Sequence, residues 1–255
     1  MCPVGLYDTV TITFTGSGIN AFCTDPSVPN DESNLAVRAA RLFLNRRSGL
    51  GKENPEGIDI LIEKQIPVGA GLGGGSSNAA AVLLGLNRHF GRPFQKNKLL
   101  EMGLSIGADV PFFIFGKPAL ARGVGEKLKR YHGLSPYAVV LVFPGFSVST
   151  AGVFRDLNLG LTTCERKINN STFIRDGFKA ERHLCNDLET VTASRYKEVN
   201  EAKAALLREG AIGSLMTGSG PSVFGLFPGK KKAESAAVAL SKPGRWKVFC
   251  ADMIV

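Results

Sequence analysis

GAGLGGGSSNAAAVLLGLN, residues 69–87, sets five glycines within its first seven positions, then Ser76 and Ser77, then an alanine-rich amphipathic run. Glycine at this density loses much chain entropy on folding, so it marks backbone that must turn sharply or lie directly against a ligand. Ala79, Val82, Leu83 and Leu86 fall at helical spacing, and Ser76 or Ser77 is the expected N-cap. The apolar run IDILI at 58–62 reads as the strand before the loop. Strand, glycine loop and helix in this order suit phosphate: the unpaired amides and the dipole of a helix N-terminus favour an anion by roughly 0.3–1 kcal/mol when exposed. A tight strand-to-helix connection without a ligand is the alternative.

Several phosphate loops compete for this stretch. Gly69, Gly71 and Gly74 fit G-x-G-x-x-G, but a dinucleotide fold needs an acidic residue roughly 20 positions on, and RHFGRPFQKNK at 88–98 has none. A P-loop needs lysine after its last glycine, where Ser76 follows Gly75. Neither an HRD nor a DFG sequence is present, which removes the protein kinases.

Outward from the loop, residues 7–14 (YDTVTITF) alternate as a half-buried strand, and a glycine turn from Gly16 to Gly18 follows. Leu35, Ala39, Ala40, Phe43 and Leu44 share one face of a helix over 34–46. The break at 133–136 precedes a fresh strand, YAVVLVFPG, and divides the chain into domains 1–135 and 136–255. The second half reads as a helix over 196–208, two strands hinged at 218–221, a helix over 230–240 and a closing strand over 246–250, an α+β pattern.

Composition narrows the function classes. A chain of 255 residues, 44% hydrophobic, buries a sizeable core, and its apolar runs are far shorter than the roughly 20 residues that span a bilayer. With no secretory signal in MCPVGLYDTV, the expectation is a cytoplasmic protein with no membrane partner. The five cysteines, Cys2, Cys23, Cys164, Cys185 and Cys250, lack CxxC spacing and are expected as free, buried thiols. The net charge of +9 favours anionic partners, but the basic clusters at 46–47, 127–130 and 230–232 carry no interleaved aromatics, which argues against nucleic acid.

The run from Pro67 to Ala81 resembles the ATP phosphate-binding motif of the GHMP kinases. Other segments fit the same family in the same order: NLAVRAARL at 34–42, GADVPFFIFG with ARGVGE between 107 and 126, NDLE at 186–189 and MTGSGPSVFGLF at 216–227. The resemblance implies a two-domain fold, with an N-terminal domain like ribosomal protein S5 domain 2 and a ferredoxin-like C-terminal domain. It also implies ATP-dependent phosphorylation of the 2-hydroxyl of 4-diphosphocytidyl-2-C-methyl-D-erythritol in isoprenoid precursor biosynthesis, on a monomer or weak homodimer. A catalytically impaired nucleotide-binding relative is an alternative, as is a kinase of homoserine, mevalonate or a sugar.

By the same resemblance Pro67, Gly69, Gly71, Leu72, Gly73, Gly74, Gly75, Ser76 and Ser77 cradle the ATP phosphates, with Ser77 touching magnesium. Asn34, Leu35 and Lys64 match positions near the adenine. Asp109 matches the catalytic base; read by itself, two residues before Pro111, it serves equally well as a helix N-cap. Phe154, in SVSTAGVF, matches the aromatic against the cytosine ring, with Thr150 nearby, and periodicity alone also allows a core phenylalanine. Thr217, Gly218, Ser219 and Gly220 match the loop that closes over the phosphates, or form a bare hairpin turn. The family's first strand, A-K-x-N-L, and its G-Y-H loop have no counterpart here, so an N-terminally truncated chain is expected, lacking the lysine beside the base.

Overall fold

The computed structural model describes residues 1–14, 17–55, 57–157 and 177–255; Gly16 and Cys164 lie outside the described residues. Two units divide the chain: Met1, Tyr7–Val68 and Gly73–Tyr131 form the first, and Cys2–Leu6, Gly69–Leu72 and His132–Val255 the second. The main boundary falls a few residues before the expected break. A plain cut there misses Cys2–Leu6 and Gly69–Leu72, which belong to the second unit by their contacts although they lie early in the chain.

In the first unit β1 (Thr9–Thr13), β2 (Gly18–Cys23) and β3 (Gly57–Glu63) form a sheet in the order β1-β3-β2. β1 runs antiparallel to β3, with Thr9 opposite Glu63; β2 runs parallel to it, with Gly18 opposite Gly57. Parallel neighbours require a crossover, and α1 (Leu35–Ser48) supplies it. Period-two alternation turns Val10, Ile12, Ile58, Ile60 and Ile62 into the core and leaves the β1 threonines and Leu61 outward. Each fully buried isoleucine contributes about 1.5–3 kcal/mol. α2 (Gly74–His89), α3 (Lys96–Ile106) and α4 (Val110–Phe115) close the same core through Ala79, Val82, Leu83, Leu86, Met102 and Ile114. A hairpin of β4 (Ala119–Arg122) and β5 (Lys127–Arg130) completes the unit.

In the second unit β6 (Ala138–Phe143), β7 (Gly213–Met216), β8 (Val223–Phe227) and β9 (Lys247–Asp252) form an antiparallel sheet ordered β7-β8-β6-β9. The helices are α5 (Thr150–Asp156), α6 (Ala180–His183), α7 (Leu188–Arg195), α8 (Lys197–Arg208) and α9 (Lys230–Leu240). Strand order and connectivity make this the ferredoxin-like split arrangement. β6 lies between β8 and β9 and is buried on both faces: Val140 and Val142 pack with α8 and α9, Val139 and Leu141 with Val4, Leu6 and Leu72. Burial on both faces is why AVVLVF is a continuous apolar run rather than an alternation.

Three sequence expectations need correction, and one strand was not foreseen. The cap of α2 is Gly73, in the left-handed region at φ 70°, and not Ser76 or Ser77; glycine's freedom there lets the helix begin at Gly74. β2 occupies residues 18–23, to which sequence patterning beyond the glycine turn gives no element. Cys185 is disulfide-bonded. Cys2, Cys23 and Cys250 are free but none is fully buried, Cys250 being exposed, because their places on unit surfaces are set by tertiary packing that spacing does not encode. Among the described residues no helix is long and apolar enough to cross a membrane.

Candidate active site

The start of α2 is built to leave its amides open. Gly73 holds φ 70°, and a Cβ on it would meet the Phe113 ring at 2.8 Å. The amide of Ser77 reaches Gly73 O at 2.9 Å, but those of Gly74, Gly75 and Ser76 precede the first intrahelical acceptor, and no side chain caps them. Ser77 Oγ donates to Gly74 O at 2.8 Å, which leaves its lone pairs as acceptors. Leu35, first residue of α1, lies 3.7 Å from the Cβ position of Gly75, and Ser76 Oγ lies 4.0 Å from that of Gly107, in the turn that leads to Asp109.

Asp109 stands at the N-cap position of α4, yet its side chain makes no capping hydrogen bond. The cap role therefore falls to backbone, with Phe112 N donating to Asp109 O at 3.2 Å. The residue is exposed on one side, while the protein around the carboxyl withholds enough water for desolvation to raise its pKa above the ordinary 3.8. A carboxylate left uncapped and made more basic has the properties of a general base.

Asn34 and Lys64 are more engaged than their assigned places near adenine imply. Asn34 caps α1, accepting from Ala36 N at 2.9 Å and donating to Pro29 O at 2.8 Å, and is buried. Lys64 Nζ is paired with Asp8, in an ion pair whose side chains are 6% and 1% exposed. Asp8 also accepts from Gln65 N at 2.8 Å, Ile66 N at 2.9 Å and Asn78 Nδ2 at 3.0 Å. Burial by itself raises a carboxyl pKa, but these donors, Lys64 first, hold Asp8 below its ordinary value.

In the second unit residues 69–72 lie against residues 217–220. Thr217 Oγ1 donates to Gly71 O at 2.8 Å, and Ser222 N to Ala70 O at 3.3 Å. Gly71, at φ 74°, leaves no room for a side chain: its Cβ would stand 2.8 Å from Gly220 O and 2.9 Å from Gly220 N. The NDLE segment carries the other side of this loop. Asn186 Nδ2 donates to Met216 O at 2.9 Å and Gly218 O at 2.8 Å, and Glu189, paired with Lys203, accepts from Met216 N at 2.8 Å. Thr192 Oγ1 donates to Ser219 O at 3.0 Å, and Ser219 and Thr150 share a hydroxyl hydrogen bond of 2.8 Å. α5 is anchored by buried Val153, and Phe154 is 57% exposed, which excludes the core-phenylalanine reading.

The first unit thus assembles Asn34, Leu35, Lys64, Pro67, Gly73, Gly74, Gly75, Ser76, Ser77 and Asp109; the second assembles Gly69, Gly71, Leu72, Thr150, Phe154, Gly218, Ser219 and Gly220. Sequence reasoning assigned no role to Asp8, Asn78 or Thr192, whose partners are distant in the chain. The one local signal was an aspartate inside an otherwise alternating stretch. Among the described residues no three His, Cys, Asp or Glu side chains gather as a metal-binding group.

Residues 34–117 match the family model described as GHMP kinases N terminal domain, and residues 175–245 that described as GHMP kinases C terminal. A 4-diphosphocytidyl-2-C-methyl-D-erythritol kinase of Syntrophotalea carbinolica is 43% identical over 255 residues, covering 100% of this chain and 89% of that protein. The enzyme of the same name from Geobacter sp. strain M21 is 46% identical over 251 residues, 96% of this chain and 86% of that one. Among solved structures, a 4-(cytidine 5'-diphospho)-2C-methyl-D-erythritol kinase superposes with TM-score 0.77 at 35% identity, over 99% of this chain and 88% of the other. A homoserine kinase from Cytophaga hutchinsonii gives TM-score 0.81 at 20% identity, over 100% and 88%, a likeness of fold alone.

Proposed function

Because the chain belongs to the GHMP kinase family, we propose that it transfers the γ-phosphoryl group of ATP to the 2-hydroxyl of 4-diphosphocytidyl-2-C-methyl-D-erythritol. The observation that carries the chemistry is the uncapped start of α2 with the Asp109 turn beside Ser76 in the same unit. Whole-length likeness to kinases of that acceptor supports the choice of substrate.

Phosphoryl transfer asks for positioning and charge neutralisation more than for covalent chemistry. The amides of Gly74, Gly75 and Ser76 receive phosphate oxygens, and the helix dipole adds to their pull. Asp109 takes the proton from the acceptor hydroxyl as that oxygen bonds to the γ-phosphorus; the bond from the γ-phosphorus to the bridging oxygen breaks and ADP leaves. Phe154 offers an exposed ring for the cytosine. Ser77 Oγ would hold a magnesium ion bound with the nucleotide, which would supply neutralisation of phosphate charge. Oxygen donors alone suit this ion, and Ser77 retains its lone pairs.

The test is ADP release and phosphorus NMR of the product with ATP and this acceptor, beside homoserine, mevalonate and sugar acceptors. Phosphorylation confined to the cytidine-bearing acceptor, and abolished by Asp109→Asn, is expected. Turnover of another acceptor instead refutes the substrate assignment, and nucleotide binding without turnover of any acceptor refutes the enzyme.

A further inference from the structure

We propose that Asp8 is a positioning residue for the nucleotide, fixing the Lys64 ammonium beneath the first turn of α2; the inference rests on the ATP-binding half of the function proposed above. Three of the four donors that converge on the Asp8 carboxylate come from residues 64–66, the segment leaving β3, and the fourth is Asn78 in the second turn of α2. One carboxylate therefore ties the exit of the strand to the helix that carries the open amides.

Lys64 Nζ lies 3.1 Å from where a Cβ on Gly74 would project, so the missing side chain at Gly74 makes the space in which the ammonium sits. An ammonium carries three N–H donors. Asp8 accepts one, and the others meet no acceptor among the described residues although the side chain is only 6% exposed. Open donors on a buried cation are costly, as are open amides at a helix start. Both lie at Gly74, and a single anion satisfies both. A pair serving stability alone needs neither: a buried ion pair is often no better for stability than an apolar pair of the same volume. Without Asp8, the Lys64 side chain has no described partner to keep its head group at Gly74.

The test is equilibrium titration of the full chain with ADP and a non-hydrolysable ATP analogue, independent of any acceptor, for wild type, Asp8→Asn, Lys64→Met and the double variant. Asp8→Asn is expected to weaken binding at least tenfold, and the loss in turnover assays to fall on KM for ATP rather than on kcat. Because Asp8 acts through Lys64, the double variant is expected to bind no more weakly than Lys64→Met. Wild-type affinity in Asp8→Asn, or losses that multiply in the double variant, overturns the proposal. Should Asp8→Asn fail to fold, Asn78→Ala loosens only the carboxylate's hold on α2; at least threefold weaker binding supports the proposal and unchanged affinity overturns it. Wild-type chain that binds nucleotide but does not phosphorylate the cytidine-bearing acceptor sinks the substrate assignment and leaves this inference standing; no nucleotide affinity at all sinks both.

Discussion

Two glycines of the same loop answer differently to the same substitution. A methyl group on Gly71 meets backbone on every side, with Gly220 O at 2.8 Å and Gly220 N at 2.9 Å, and the residue sits at φ 74°. The left-handed conformation costs a side chain about 1–2 kcal/mol, and overlap with backbone that cannot rotate away about 1–3 kcal/mol. Gly71→Ala therefore destabilises by about 2–5 kcal/mol, a fall in Tm of roughly 4 °C or more for a chain of this size. Gly75 lies inside α2 at an ordinary helical φ, is exposed, and offers an added Cβ only Leu35 Cδ1, at 3.7 Å. Alanine is the better helix former by about 0.8–1 kcal/mol, so Gly75→Ala leaves Tm unchanged or higher. If its amide contacts phosphate, the methyl group displaces a charge-assisted hydrogen bond of about 1.5–3 kcal/mol, and nucleotide binding weakens roughly tenfold or more. Differential scanning fluorimetry and calorimetric titration with an ATP analogue read the two effects separately. Gly71→Ala melting within a degree of wild type, or Gly75→Ala binding nucleotide as wild type does, refutes the reasoning.

Asp109→Asn is expected to lower kcat by about 10²–10⁴ while leaving Tm unchanged or slightly higher, since it removes a desolvated charge; retained turnover excludes the base role. The raised Asp109 pKa keeps the group protonated to a higher pH than an ordinary carboxyl, so the acid limb of kcat/KM is expected above 3.8; a limb at or below that value argues against Asp109. Asp8 has the opposite sign. Its folded pKa is depressed, so its contribution to stability is complete above the ordinary carboxyl range and is lost as pH falls through the lower folded value, and Asp8→Asn is expected to flatten the acid side of a Tm-against-pH curve. Phe154→Ala removes a ring that is 57% exposed; KM for the acceptor is expected to rise roughly tenfold, from about 1–3 kcal/mol of stacking, with KM for ATP unchanged.

What was legible in the sequence was local. The helix after the glycines follows from periodicity, and the strands of IDILI and AVVLVF from short apolar runs, each within the element itself. β2 escaped because GINAFC becomes a strand through its parallel register with β3, from Gly18 opposite Gly57 to Cys23 opposite Ile62, across an intervening helix. Capping rules favour a side-chain oxygen and so point to serine, whereas Gly73 caps α2 through a backbone angle. Asp8 escaped for a stronger reason. Its donors lie 56 to 70 residues away, and an aspartate in an alternating stretch, the one local signal, does not say what it pairs with.

The glycines of residues 69–75 also answer to two different demands, which no reading of their spacing separates. The chain passes from the second unit to the first between Leu72 and Gly73. Before that point Gly69 and Gly71 are required by neighbours within their own unit, Ser147 at 2.5 Å from a Cβ on Gly69 and the Gly220 backbone near Gly71. Beyond it the reasons divide residue by residue: Gly73 must avoid the Phe113 ring, a Cβ on Gly74 would make tight contact with Lys64 Nζ and Ile66 Cγ2 at 3.1 Å, and Gly75 meets only Leu35 at 3.7 Å. Steric exclusion therefore accounts for Gly69, Gly71 and Gly73 without any ligand. Gly75, where an added methyl meets nothing tighter than Leu35 at 3.7 Å and alanine favours the helix, is the glycine that packing does not require. Close approach of a phosphate to the open α2 amides is the reason for a glycine here that the Gly75→Ala titration tests.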